Sequence, residues 1–365
     1  MPGIPVTIGR GTCHVLFAYE VGLMIDLDRA ARVLVQAQRG GLLKDRRNPA
    51  GFDFRPLPLR VVQQAPAVEV AGTAVGPEVE LTVFDFGAVS VEYRLPLQGP
   101  IERLPDLSAE LADNQPLLAD SRRRVEELAG AIGDAILKPS FSGFVEDYVV
   151  FSVEACTPAA PRPETLDAGL AARILRGERG QLSAQEEREA CAAMLSYGTT
   201  DLAILDWNAA LLFDDAPVAT LAVLEFANVQ LLEYRVLDEQ LDQSLTEAYE
   251  TAVRRRARSI RPSAAARASE RLAELQVDGL ALFESVNNAL KLLGDQYLAR
   301  VHRAAGSRLR LDEWERSILR KLETLESIHG KLSEEAAQRR SELLEWIIIL
   351  LIAFEILLVF LPIRH

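Results

Sequence analysis

The chain has 365 residues, with 40 Lys and Arg against 53 Asp and Glu and a formal net charge of −13. That balance excludes a general nucleic-acid coat and leaves room only for local basic patches. The length suits two folded domains plus a further segment, and a hydrophobic content of 49% predicts that most of the chain folds.

Cys13, Cys156 and Cys191 are odd in number, widely spaced and without a CxxC pair. They predict no disulfide framework and suit a reducing compartment, each reading as a buried structural thiol. The opening residues, MPGIPVTIGRGTCHVLFAY, lack a basic stretch followed by an apolar core, so no secretory signal or transit peptide is expected.

Residues 14–25 are rich in branched and aromatic side chains and read as a strand or hairpin. Asp26 and Asp28 can cap a helix running to about Gln38, which Gly40-Gly41 ends. Residues 44–58 look like a loop, and 59–64 and 67–75 are short strand candidates. Residues 79–97 carry the clearest β signal, with alternating apolar positions on either side of a tight turn at Phe86-Gly87. A helix is predicted over 106–137, stopped by Pro139, and a strand over 144–155. A proline-rich turn at 156–163 leads to helices at 164–177 and 183–196 and a strand pair at 201–213.

The segments VFDFGAVSVEY (83–93) and ILDWNAALLFD (204–214) echo one another, matching Asp85 with Asp206, Phe86 with Trp207 and Gly87 with Asn208. Gly and Asn both tolerate the positive φ of a two-residue hairpin. Either these are two related β-α modules, or two hairpins share the same turn chemistry.

After Pro217 the strand signal ends. Helices are expected to about Arg258, over 264–303 and from Leu309. In the last, Leu311, Trp314, Ile318, Leu325, Ile328 and Leu332 fall at a and d spacing, with Lys321 in one core slot beside Leu322. The tail WIIILLIAFEILLVFLPI (346–363) holds a single charge, Glu355, and ends at Pro362 and Ile363. As a helix it would be about 27 Å long, near the roughly 30 Å of a bilayer core. The expectation is a tail anchor that begins at Trp346, with the body on the cytoplasmic side of the inner membrane and Glu355 at a helix–helix contact.

No catalytic constellation stands above background: GxSxG, P-loop, GxGxxG, HExxH and Cys/His sets are all absent. Asp85 and Asp206 are weak candidates for paired carboxylates that bind a metal or act as acid and base, if the two modules face each other. Both read better as turn-forming aspartates. Two basic runs, Arg122–Arg124 and Arg254, Arg255, Arg256, Arg258 and Arg261, are candidate contacts for RNA, a ribosome or anionic headgroups, or simply solvated helix faces. No aromatic residues interleave with them, which argues against base stacking.

The C-terminal half resembles the family that includes the mitochondrial "required for meiotic nuclear division" protein and the yeast Sad1-interacting factors. The residues that carry the likeness are LLEWIIILLIAFEI (343–356), the helix VLEFANVQLLEYRVLDEQLD (223–242) and the layout of the hairpin 284–340. More loosely, VFDFGAVSVEY is similar to a family strand. The resemblance implies an α/β body, a coiled-coil stalk, one C-terminal membrane helix, self-association and, in mitochondrial members, a role near the ribosome.

The expected fold is therefore α+β. A module at 1–155 and a second at 156–215 precede a helical hairpin or coiled coil at 216–345 and a transmembrane anchor at 346–363. The expected function is a non-enzymatic, oligomeric scaffold tethered to the bilayer, holding the ribosome or another protein partner, with no cofactor, no metal and no DNA. The alternatives are a metal-dependent enzyme using Asp85 and Asp206, and an RNA- or ribosome-binding factor.

Overall fold

A computed structural model describes residues 6–34, 37–39, 43–45, 48–52, 56–65, 68–158, 167–256, 262–290 and 296–360. Within these, side chains are described except at 37–52, 251–256, 262–270, 272, 289–290, 332–333, 335–343 and 355–360. Two compact units divide the chain: Met1–Leu237 with Ala281–Arg316, and Asp238–Leu280 with Ser317–His365.

The first unit holds strands β1 (Thr7–Glu20), β2 (Gly22–Ile25), β3 (Ala37–Arg39), β4 (Leu43–Asp45), β5 (Asn48–Phe52), β6 (Leu59–Gln64), β7 (Glu69–Val70), β8 (Thr73–Ala74), β9 (Glu78–Val83), β10 (Ala88–Pro100), β11 (Ile136–Pro139), β12 (Glu146–Thr157), β13 (Ala193–Leu195), β14 (Leu202–Leu205) and β15 (Ala209–Phe213). Its short helices are α1 (Leu27–Val33), α2 (Leu104–Leu111), α3 (Gln115–Ala131), α4 (Ala168–Arg176) and α5 (Ala184–Ala190). The long helices follow as α6 (Val218–Arg256), α7 (Pro262–Leu290), α8 (Gln296–Arg308) and α9 (Leu311–Phe360), and the division between units falls within α6, α7 and α9.

Nine strands form one sheet in the order β13-β14-β15-β12-β1-β10-β9-β6-β3. All neighbours run antiparallel except β12 with β15. The expected pair of β-α modules is thus a single sheet, because β15 pairs with β12, Val149 opposite Ala209, and carries the second hairpin onto its edge.

Strand periodicity gives the sheet two unlike faces. Val15, Phe17 and Tyr19 of β1, Val91 and Tyr93 of β10 and Phe151 of β12 point into an apolar core shared with Leu107, Leu117 and Ile174 of α2, α3 and α4. His14 and Glu20 of β1, Glu92 of β10 and Glu146 and Ser152 of β12 are also buried or nearly so, but alternate to the opposite face. The first half of α6 lies on that face, where Phe226 meets Phe84 and Phe86 and the Asn228 amide donates to the Glu146 carbonyl at 3.1 Å.

Local signals explain the helix ends. The predicted helix over 106–137 is two helices, because Asn114 caps α3 by accepting from Leu117 N at 3.0 Å. The helix after Asp26 stops at Val33, and residues expected to continue it form β3. The one expected over 264–303 is α7 and α8.

The membrane anchor is corrected. Among the described residues no helix is long and apolar enough to cross a membrane. The Glu355 side chain and Pro362 lie outside the described residues. The tail-anchored fold and the inner-membrane location fall with that span.

In the second unit, Ile318, Leu322 and Leu325 of α9 are buried, while Ile328 is half-buried and Leu332 lies outside the described side chains. Lys321, the misfit in the apolar seam, reaches Asp238 at 2.8 Å and Asp242 at 2.7 Å. The seam's first residues, Leu311 (buried) and Trp314 (half-buried), belong to the first unit.

Candidate functional site

The α6 face of the sheet is a buried polar layer. On four adjacent strands, the register brings His14, Glu92 and Arg94, Glu80, and Arg60 to this one face. His14 Nδ1 lies 2.5 Å from Glu92 Oε1. Arg94 donates to Glu92 Oε2 at 2.5 Å and to Glu80 Oε2 at 2.8 Å, and Arg60 meets Glu80 Oε1 at 2.7 Å. Two carboxylates and two guanidiniums alternate, so the charges balance in place. Burial alone would raise the Glu92 carboxyl, but its bonds to His14 and Arg94 outweigh that and hold it down at about 2.

Glu225 of α6 faces this ladder. Burial, together with the nearby charge of Glu92, pushes its carboxyl up to about 7. A second carboxyl from α6, Glu233, is raised well above the ordinary range by burial and then by Glu20. Glu20 is itself raised by burial, against a hydrogen bond from the Ser140 hydroxyl at 2.7 Å. Glu146, nearby on β12, is paired with Arg235.

The two weak catalytic candidates do not meet. Asp85 is half-buried in the β9–β10 turn, and Asp206 lies in the β14–β15 turn. Strands β12 and β1 stand between those hairpins, so β15 and β10 are three strand spacings apart, about 14 Å. Asp206 is fully buried and held by two cations: Arg308 Nε donates at 3.0 Å, and Arg176 Nε stands 2.5 Å from Oδ2, a close ion pair outside hydrogen-bond alignment. Tyr148 donates to the Asp206 carbonyl at 2.9 Å. Asp206 is a structural anchor between α4, α8 and the sheet.

The hairpin echo holds for turn position but not for backbone. Gly87 has φ +95°, whereas positive φ in non-glycine residues is confined, among the described residues, to Ala71, Lys138 and Arg310, so Asn208 does not use it.

The first basic run is engaged. Arg122 pairs with Glu126, Arg123 with Asp120 and Glu127, and buried Arg124 with Asp120. Of the second run, Arg254, Arg255 and Arg256 sit in α6 with side chains outside the described set, and Arg258 and Arg261 lie outside the described residues. Burial raises all three thiols, Cys191 to about 11, which keeps them protonated and poor nucleophiles. Among the described residues no group of three or more His, Cys, Asp or Glu could hold a metal ion.

The family described as "Uncharacterized protein MJ0711, N-terminal domain" matches residues 10–220, the span from β1 to the start of α6. The chain belongs to this family. It is 23% identical over 290 residues to the uncharacterized protein MJ0711 of Methanocaldococcus jannaschii, covering 74% of this chain and 87% of that protein. No solved structure matches. Neither match links the chain to the meiotic-nuclear-division or Sad1-interacting proteins.

Sequence reasoning passed over Glu20, Glu92, Glu225 and Glu233. A signal was present: Glu233 interrupts the apolar run LLEYRVL of α6, and Glu92 occupies an alternating position of a strand that is covered on both sides.

Proposed function

We propose that this protein is a non-enzymatic interaction protein that assembles with further copies of itself through the end of α9. The observation that supports it is the stretch Trp346–Phe354. Its large side chains are all exposed, from 43% at Ile347 to 66% at Trp346, on every side of the helix. Scattered surface leucines are ordinary, but a continuous apolar sleeve exposed to water is unfavourable and calls for a cover. Leu311, Ile318 and Leu325 are seven residues apart and buried, the spacing of a coiled-coil seam, and the same helix carries the sleeve onward. A sleeve apolar all round suits a symmetric bundle in which each copy supplies the same helix. The carboxylates a catalyst would use, Asp206, Glu92 and Glu80, are each committed to cations of the fold.

The test is sedimentation velocity on the full chain. A discrete oligomer is expected, dissociating to monomer when Ile348→Glu and Leu351→Glu are combined. A wild-type chain that sediments as a single monomeric species overturns the reading.

A further inference from the structure

The outer face of α8 carries a line of positive charge on an acidic chain. From Gln296 to Leu311 there are four arginines and no Asp or Glu, in a protein that holds 53 acids. Leu298, Val301 and Ala305 of this helix are buried, whereas Arg300, Arg303 and Ser307 are exposed. At 3.6 residues per turn those three positions fall within about 60° of one another, so they run along the helix as a single line. Arg310, just past the helix end, is exposed as well. Neither Arg300 nor Arg303 meets a carboxylate among the described residues, and Arg310 has only a solvated contact with Glu313 at 3.8 Å.

Exposed aromatic rings stand at both ends of this line. Helix α8 lies against β13 and β14. At its start, Tyr197 is 58% exposed and packs edge-on against Tyr297 at 5.7 Å, and the Arg300 guanidinium lies 5.6 Å from the same Tyr297 ring. At its end, Arg308 holds Asp206, and the next residue is Trp207, 51% exposed, with Arg176 5.8 Å from its ring. Tyr297 and Arg308 are 11 positions apart, about 16 Å of helix. We infer that the α8 edge of the first unit binds a single strand of nucleic acid, with phosphates on Arg300, Arg303 and Arg310 and bases on Tyr197 and Trp207.

The guanidinium fork matches phosphate oxygens, and exposed rings beside a cationic track supply faces on which unpaired bases stack. A duplex keeps its bases stacked on one another and offers the rings nothing without being opened. An anionic bilayer surface calls for large apolar side chains among the cations, but those of α8 are turned into the fold. An acidic peptide would use the arginines and leave the rings idle. The other described basic run, Arg122–Arg124, lacks this combination because its charges are met by Asp120, Glu126 and Glu127. Every residue of the line belongs to the first unit, so the inference stands whether or not α9 assembles.

The experiment titrates the full chain into fluorescein-labelled single strands of mixed-sequence RNA and DNA, read by fluorescence anisotropy. Binding is expected to weaken with salt at a slope of about −2 in log K against log[salt], the value for three phosphates of a single strand. Arg300→Gln and Arg303→Gln should each reduce that slope by about 0.7, and the double variant Arg300→Glu, Arg303→Glu should abolish binding. Tyr197→Ala and Trp207→Ala should each weaken binding about fivefold or more with the slope unchanged. Arg122→Glu, on α3, is the control and should change neither quantity. Circular dichroism reports whether each variant folds, and Tyr197→Ala carries the ring test alone if Trp207→Ala does not. The inference is overturned if neither strand binds, or if the folded double Glu variant binds like wild type. It is equally overturned if the folded ring variants bind like wild type, the mark of a general anion surface. Displacement of the strand by phosphatidylserine vesicles or polyglutamate as effective as by unlabelled strand would overturn it too, in favour of a membrane or an acidic protein.

Discussion

Arg308 of α8 donates through Nε to the carboxylate of Asp206 at 3.0 Å, joining points 102 residues apart in the chain. Arg176 of α4 approaches the same carboxylate from the other oxygen and stacks its guanidinium over Trp207 at 5.8 Å. One fully buried aspartate thus fastens two helices to the β14–β15 hairpin, and both arginines are largely buried in doing so. Removing the anion leaves Arg308 without this carboxylate and Arg176 with only the longer contact to Glu186 at 3.4 Å. Asp206→Asn is expected to destabilise the fold by about 3–5 kcal/mol, the usual cost of breaking a buried pair from one side. Urea unfolding followed by circular dichroism measures it, and a loss below about 1 kcal/mol would mean the anchor is idle.

Stability should depend on pH in two opposite senses. Glu225 has a folded pKa of about 7, above its ordinary 4.5. Between those values the folded state holds a proton that the unfolded state has lost. Its contribution is therefore full below pH 4.5 and disappears as the pH rises through 7. Glu92, held at about 2, behaves the other way: its contribution is present above pH 4.5 and is lost as the pH falls toward 2. Unfolding free energy should fall from pH 5 to pH 8 by roughly 1–3 kcal/mol on account of Glu225. In Glu225→Gln that slope should flatten, with a gain in stability at pH 8. An unchanged slope in a folded Glu225→Gln protein would remove Glu225 as the cause.

Gly87 is required by its turn. Its φ is +95°, and a Cβ there would stand 1.8 Å from the Gly22 carbonyl oxygen. That carbonyl belongs to a segment already tied to the turn, since Val21 N donates to Gly87 O at 2.9 Å and Ile25 N to Asp85 O at 2.7 Å. Gly87→Ala must displace backbone, not a flexible side chain, and should cost about 3 kcal/mol or more. Gly130→Ala, where nothing lies within 4 Å of the added carbon and the backbone is helical, should be neutral or slightly stabilising. Thermal unfolding of the two variants side by side checks the contrast.

Much of the sheet was legible because strand chemistry is local. The hairpins around Phe86-Gly87 and after Leu205 fall where alternation and turn residues put them. Their joining into one sheet was not legible, because the parallel pairing of β12 with β15 is a long-range choice that leaves no local mark. The same reason hid the polar layer. His14 and Glu92 sit at alternating strand positions whose burial comes from α6, which covers that face. The Asp85–Asp206 pairing assumed two facing modules, and a continuous sheet keeps their hairpins apart. The tail misled for a different reason: an apolar run reads as a bilayer span by length, and among the described residues no helix is long and apolar enough to cross a membrane.

Lys321 looked like a flaw in an apolar seam and is better understood as its lock. Its ammonium reaches Asp238 at 2.8 Å and Asp242 at 2.7 Å and also donates to the Asp238 carbonyl at 3.2 Å. Ser317, one turn earlier on α9, donates to the same Asp238 carboxylate at 2.9 Å. The burial is uneven: the Asp238 side chain is mostly covered, whereas that of Asp242 is more than half exposed. The two aspartates should therefore respond differently. Lys321→Met keeps the apolar stem but leaves Asp238 without its cation, and should cost about 1.5–3 kcal/mol, the range for hydrogen bonds to charged groups. Asp242→Asn should cost under about 1 kcal/mol, since water already screens that contact, and its effect should fade in high salt. Urea titrations of both variants at low and high salt give the comparison. Equal losses, both sensitive to salt, would place Lys321 at a solvated surface and remove it from the α6–α9 seam.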